Sequence, residues 1–327
     1  MRRFFKRIII FISFPLFVIL FMDSSLRMQN TLYKEKYEGA KKAQDSIEVI
    51  VLGTSRATYG VNPEAFDLYT YNLANLAQSI YFDKRITLSL LPDLKQLKYV
   101  FISIDYHNLS FSSQFNRDYW SYYGNGIKYK DRDYIWANIS PTLFGYTPKV
   151  AYAMIKKRCL NLWRYGNSII DFEVEPDVDI YTQPVKGYIA FEGRDTANFN
   201  HEAYETSSSW YTNVIDESIE RNEIIDDLTD FIEILLAKGV TPILFTPPTY
   251  TEFNTYLNKS YIESNKNTSE QIAEKYGIEY WDFLDSPVFS IDDYHDMEHL
   301  NREGALKFSS MLNDSIQKME SKYMFDK

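Results

Sequence analysis

The apolar and polar positions change period several times along the chain, and each change predicts an element. A charge-free apolar run, Ile8 to Met22, follows Arg2, Arg3, Lys6 and Arg7. Residues Arg27 to Gln44 are polar and charged and read as a stalk or a first helix. Short β-branched and aromatic runs follow at Glu48–Leu52, Tyr69–Leu73 and Tyr99–Ile104, and again at Val240–Phe245 and Ile278–Trp281. Runs of this kind suit parallel strands buried on both faces. Helical spacing separates them. It covers about Gln78–Leu91, closed by Pro92, and Glu217–Lys238, where Ile224, Leu228, Phe231 or Ile232, and Leu235 share a face before Gly239. It returns at Tyr261–Tyr276, ended by Gly277, and at Glu303–Met319, with Leu306, Met311, Leu312 and Ile316 facing inward. Strands alternating with helices predict an α/β protein, a three-layer α/β/α sandwich with a mostly parallel sheet. The alternation lapses over about 109–216, a Tyr- and Trp-rich stretch with a helix around Pro148 to Trp163. This stretch reads as an insertion on the sheet, not a separate fold.

The N-terminal run reads as a membrane signal. It is shorter than the roughly 20 residues of an ordinary spanning helix and would also suit the apolar part of a signal peptide. The residues after it, Asp23-Ser24-Ser25-Leu26-Arg27, offer no small-x-small cleavage site, so an uncleaved anchor over 1–25 is expected, with a stalk over 26–45 and the main domain over 46–327. The basic cluster keeps the N-terminus cytoplasmic, which puts the rest of the chain on the extracytoplasmic side of a cell membrane. The competing reading is a buried core helix.

Composition narrows the chemistry. With 327 residues and 45% hydrophobic residues, a packed core is affordable. A net charge of −10 argues against nucleic acid as a partner. Lys156-Lys157-Arg158 is then a short solvated basic patch. The lone Cys159 excludes an intramolecular disulfide. The acidic pairs Asp226-Asp227 and Asp292-Asp293 lack a ligand frame, so neither metal nor cofactor is expected.

Two short patterns carry candidate chemistry. Gly53-Thr54-Ser55-Arg56 follows the first apolar strand, at the edge of a parallel sheet where ligands bind. Asp296-Met297-Glu298-His299 follows the last. A carboxylate three residues before a histidine can hold the imidazole in one tautomer while its other nitrogen takes a proton from a serine. Ser55, His299 and Asp296 are therefore candidates for nucleophile, general base and orienting acid. The plainer readings are a helix N-cap for Ser55 and a surface turn for Asp296 and His299. His107, His201, His295 and Glu298 are rivals for the same roles.

Taken together, these patterns resemble the SGNH (GDSL-like) hydrolase superfamily over roughly Glu48 to Met319, excluding the insertion. The resemblance implies a flavodoxin-like sheet, and matches Gly53-Thr54-Ser55 to the first block, with Thr for Asp, and Asp296 and His299 to the last. Leu300-Asn301-Arg302-Glu303-Gly304-Ala305 is similar to the run into the family's final helix. Asn72 to Gln78 occupies the second block, which places the oxyanion-binding glycine at Ala77. The third block, Gly-x-Asn-Asp in the family, reads Asp105-Tyr106-His107-Asn108 here, a departure that leaves Asn108 or His107 to supply a side-chain donor, or neither. The implied oxyanion site is the backbone N–H of Ser55 and of Ala77, with Asn108. The implied activity is a serine acyl esterase or O-acetyltransferase of the bacterial cell envelope. It would act on a carbohydrate or acyl-ester substrate such as an envelope polysaccharide, with an envelope acyltransferase as partner. A second reading is a catalytically inactive relative that binds glycan or scaffolds polysaccharide assembly. Aromatics in the insertion would stack on sugar rings, or simply fill a core.

Overall fold

Val49–Leu52 is apolar at every position because the strand is covered on both faces, and all four of its residues are buried. It is β1 of a five-stranded parallel sheet in the order β2-β1-β3-β4-β5. The others are β2 (Thr70–Asn72), β3 (Tyr99–Ser103), β4 (Thr241–Thr246) and β5 (Glu279–Asp282). This is the flavodoxin-like order, and connections leave in opposite directions between β1 and β3. The carboxyl ends of those two strands, at Gly53 and Ile104, therefore flank the natural ligand crevice of the sheet. The computed structural model describes residues 2–110, 112, 119–166, 184–215 and 220–325. Among them the helices are α1 (Arg2–Arg27), α2 (Leu32–Ala43), α3 (Ser55–Gly60), α4 (Ile80–Leu90), α5 (Tyr119–Gly124), α6 (Trp136–Ile139), α7 (Pro148–Tyr165), α8 (His201–Val214), α9 (Glu220–Ala237), α10 (Thr251–Asn254), α11 (Lys259–Tyr276) and α12 (Arg302–Phe325).

Strand alternation divides the core. Val51, Phe101 and Ile243 stand side by side in register and meet Ala305, Phe308, Leu312 and Ile316 of α12. Helix α12 also packs on α3, so the last helix backs the segment that carries Ser55. Elsewhere α4 packs on α9 and α9 on β4. Lys84 and Arg85 of α4 pair with Asp227 of α9 at 2.6 and 2.8 Å.

The described residues fall in two compact units, one within 1–35 and 114–183, the other within 36–113 and 184–327. The stretch over 109–216, expected as one insertion, is thus divided. Its later part stays with the sheet because its backbone is bonded there. Asn72 N–H donates to Lys186 C=O at 2.9 Å, and Arg302 N–H to Phe191 C=O at 2.9 Å. The first unit holds Tyr119, Trp120 and Tyr122 buried, while Tyr134 and Trp136 are exposed. The segment expected as a stalk or first helix contains α2, whose Tyr37 and Ala40 are buried. Within α1, Lys6–Arg27 is long and apolar enough to cross a membrane by length and composition.

Phe101 is fully buried, and its ring meets Phe66, Phe245 and Trp281. Phe101→Ala is expected to cost about 3–5 kcal/mol of stability, read from urea denaturation; a loss under about 1 kcal/mol would show that this side of the sheet repacks freely.

Candidate active site

The turn after β1 builds the site. Gly53 has φ +132°, and a Cβ there would run into the Cβ of Ser103 on the neighbouring strand, so no side chain is tolerated. Thr54 caps α3, and Ser55 is the first residue of that helix. Asn72, buried at the end of β2, fastens α3 down: its Nδ2 donates to the carbonyls of Ala57 and Val61, both at 2.8 Å. From the other end of the domain, the loop before α12 brings in His299. The Ser55 hydroxyl lies 2.8 Å from His299 Nε2, and His299 Nδ1 lies 2.9 Å from Asp296 Oδ2. Asp296 Oδ1 also accepts the N–H of Glu298 at 2.7 Å and of His299 at 2.8 Å. The hydroxyl, imidazole and carboxylate are therefore bonded in series, the arrangement a serine nucleophile needs.

The electrostatics fit that series. Burial pushes the Asp296 carboxyl up, but the His299 charge and its hydrogen bonds outweigh this and hold it down at about 2. Burial pushes the His299 imidazole down, yet Asp296 outweighs it, Glu298 adds to the rise and Arg56 opposes it, so the group ends above its ordinary 6.5. The ring sits under aromatic cover. Tyr59 meets it edge-on at 5.6 Å between centroids, and Phe191 lies 5.7 Å away.

Arg56 and Glu298 were not recognisable from the sequence as partners. Their ion pair, 3.2 Å, has a buried Arg56 and a partly buried Glu298, and joins α3 to the Asp296–His299 loop. Helix α8 completes it, because Tyr211 and Ser207 each donate a hydroxyl to Glu298. Burial works against the Arg56 charge, but Tyr211, Glu298 and Asp105 outweigh it, and the guanidinium stays protonated. Burial, reinforced by Glu298, raises the Tyr211 phenol far above its usual range. Beneath the turn lies Asp83, fully buried, which burial pushes up to about 8 although Gln78 Nε2 donates to it at 2.6 Å and Gly53 N–H at 3.3 Å. Burial thus favours its protonated form.

The remaining expected residues have mixed fates. Ala77 adopts φ +49°, the left-handed conformation a glycine would take, in a loop whose Asn75 N–H donates to Gly53 C=O at 3.0 Å. Among the described residues no backbone carbonyl accepts the N–H of Ala77 or of Ser55. Asn108 is corrected as an oxyanion donor. It is fully buried, its Nδ2 donates to Ser103 C=O at 3.0 Å, and its Oδ1 accepts Asp105 N–H at 3.0 Å. The amide closes its own turn because that turn leaves two backbone groups to satisfy. In place of the third block, Asp105 accepts the hydroxyls of Thr54 and Ser103, the latter at 2.9 Å. His107 is buried beside Tyr211; burial, then the Arg56 charge, lowers it to about 3, so it stays neutral. His295 stacks on Phe191 at 4.1 Å, and His201 bonds Tyr256.

No family model matches the chain, and no curated protein matches it. Among solved structures it is similar to a candidate acylhydrolase from Bacteroides fragilis NCTC 9343, with 10% identity and a TM-score of 0.40 over 86% of this chain and 93% of the other. It is similar to a GDSL-like lipase from Bacteroides thetaiotaomicron VPI-5482, with 10% identity and a TM-score of 0.40 over 88% and 99%. It is also similar to a protein described as a candidate platelet activating factor from Streptococcus pneumonia, with 9% identity and a TM-score of 0.40 over 94% and 98%.

Because Asp296 is held at about 2 against 3.8 when unfolded, its contribution to stability is complete above 3.8 and is lost as pH falls toward 2. The stability gap between wild type and Asp296→Asn is expected to close over that window; a gap independent of pH in acid denaturation would contradict it. Glu298→Gln strands a buried guanidinium and is expected to cost about 3–5 kcal/mol. The same change removes a charge that favours protonated His299, so the acid limb of Ser55 reactivity should move to lower pH, as titrated with a serine-directed fluorophosphonate.

Proposed function

We propose that this protein is a membrane-anchored acyl esterase or O-acyltransferase of the SGNH (GDSL-like) type, working on envelope polysaccharide through a serine acyl-enzyme. The observation that carries the reading is the 2.8 Å contact between Ser55 Oγ and His299 Nε2, with Asp296 on the far nitrogen. In the first step Ser55 Oγ attacks the ester carbonyl as His299 takes its proton. Asp296 keeps the imidazole in the right tautomer and stabilises the imidazolium. The carbonyl oxygen, now negative, is received by the N–H groups of Ser55 and Ala77. Both are free of backbone partners among the described residues, and Ser55 sits in the first turn of α3. His299 then protonates the leaving alcohol. Water or a sugar hydroxyl, deprotonated by His299, releases the acyl group, and the identity of that nucleophile separates hydrolysis from transfer.

The anchoring part of the proposal rests on α1, whose apolar stretch follows a basic cluster. Such a cluster stays cytoplasmic by the positive-inside rule and leaves the remainder extracytoplasmic. One observation favours a second reading, a glycan-binding relative without turnover: Asn108 gives its amide to its own turn, so a side-chain oxyanion donor is missing there. Loss of one such donor typically costs about 10²–10³ in rate, which slows an enzyme without abolishing it.

The test is p-nitrophenyl acetate hydrolysis and fluorophosphonate labelling of the full chain. Ser55→Ala and His299→Ala are each expected to lose at least about 10³-fold in kcat, with no label on the Ser55→Ala protein. A wild type that neither turns over nor labels would favour glycan binding.

A further inference from the structure

We propose that the first unit rests in the head-group layer of a lipid bilayer: exposed apolar side chains of α6 and of the π-helical turn Pro141–Gly145 enter the lipid beside α1, and the basic helix α7 faces anionic head groups. The inference builds on the anchoring reading of α1 and adds a second membrane contact to it.

The first support is length. As a helix, the charge-free run Ile8 to Met22 measures about 22 Å against roughly 30 Å of hydrocarbon. Lys6–Arg27 as a whole is long enough to cross, but its charge-free part is about 8 Å short, and that shortfall is met by thinning of the bilayer, by snorkelling of the flanking Lys6 and Arg7, or by apolar surface supplied from elsewhere. The borrowed surface is present at the level where the run stops. Asp23 Oδ1, one residue past it, accepts the N–H of Thr142 at 2.9 Å. Arg27 Nη1 donates to Asn138 Oδ1 at 3.2 Å, and Nη2 donates to the Asn138 carbonyl. Leu26 packs on Ala151 and Met154 of α7, with Met22 beside them. Residues 136–144 are therefore fastened beside α1 over its last turns.

Those residues point apolar surface outward. Trp136 is 69% exposed, Leu143 54% and Ile139 50%, and the Trp136 and Phe144 rings lie 5.2 Å apart. Four large apolar side chains on the nine residues 136–144 would be an aggregation hazard in water, and they continue the bare apolar surface of α1. Tryptophan at such a level matches the amphipathic layer between hydrocarbon and head groups.

Charge is the independent support. In a chain of net charge −10, residues 119–166 carry eight Lys and Arg against two Asp, ahead of the five acids in the unit's sequence over 167–183. Helix α7 holds Lys149, Lys156, Lys157, Arg158 and Arg164 and no acid. Its Lys149 and Lys156 are exposed, and Trp163 is 81% exposed. A basic helix with exposed aromatics inside an acidic protein fits an anionic surface, and anionic lipid supplies one next to a membrane helix.

The experiment uses the full chain with Cys159→Ser and a single environment-sensitive fluorophore on Leu143→Cys. Phe14→Cys in α1 and Asp230→Cys in α9 are parallel label sites. Each protein is reconstituted into vesicles of phosphatidylcholine and phosphatidylglycerol carrying nitroxide lipids at shallow or deep positions. The expected result is blue-shifted emission at 143 quenched most by shallow nitroxide, at 14 quenched most by deep nitroxide, and none at 230. Quenching at 14 without quenching at 143 overturns the proposal, leaves the anchor standing and assigns the patch to a protein partner. Quenching at neither removes the anchoring reading along with it.

Discussion

Everything at the candidate site depends on one close approach, that of the Gly53 backbone to Ser103. Parallel pairing of β1 with β3 brings the two strand ends together, and only a residue without Cβ, at φ +132°, lets the chain turn there. The turn sets where α3 starts and hence where Ser55 stands. Around it the side chains form a closed polar knot. Thr54 and Ser103 bond Asp105, the backbone of Gly53 bonds Asp83, and Asn108 spans from Asp105 to Ser103. The upward push on Asp83 suits that knot, because a second bare carboxylate near Asp105 would be repelled where water cannot screen the charge.

The same economy governs the Arg56–Glu298 pair. Burying two charges is costly, and such pairs add little net stability over apolar side chains of equal volume. What the pair supplies is definition. It links the residue after Ser55 to the residue before His299, and α8 adds two hydroxyls that bond the Glu298 carboxylate, one on each oxygen. A misplaced loop would leave a charge without its partner, so alternative positions of His299 are penalised.

Much of this is legible in the sequence, for identifiable reasons. Strands buried on both faces are continuous apolar runs, and β1, β3 and β4 stand out for that reason. Ser55 stands out because a short polar pattern follows β1 directly, and Asp296 and His299 stand out by their three-residue spacing ahead of the last helix. Contacts that depend on distant chain are not legible. Tyr211 and Ser207 reach Glu298 from α8, inside a stretch with no periodic signal, and nothing local marks them. The Asn108 amide illustrates a different limit, since the same group can serve a substrate or its own backbone, and only the turn geometry decides. The division of 109–216 between two units rests on backbone hydrogen bonds at Lys186 and Phe191, which side-chain pattern does not encode.

The separation of Ser55 from His299, 244 residues along the chain, has a temporal consequence. Contacts this remote close late, because loop-closure entropy must be met before they reward the chain. During synthesis the serine emerges 244 residues ahead of the imidazole, and α12 must dock before their geometry is fixed. A nascent or truncated polypeptide therefore carries an inert hydroxyl. On the proposed mechanism, reactivity would switch on only when the whole domain has assembled, which would make it a readout of completed folding.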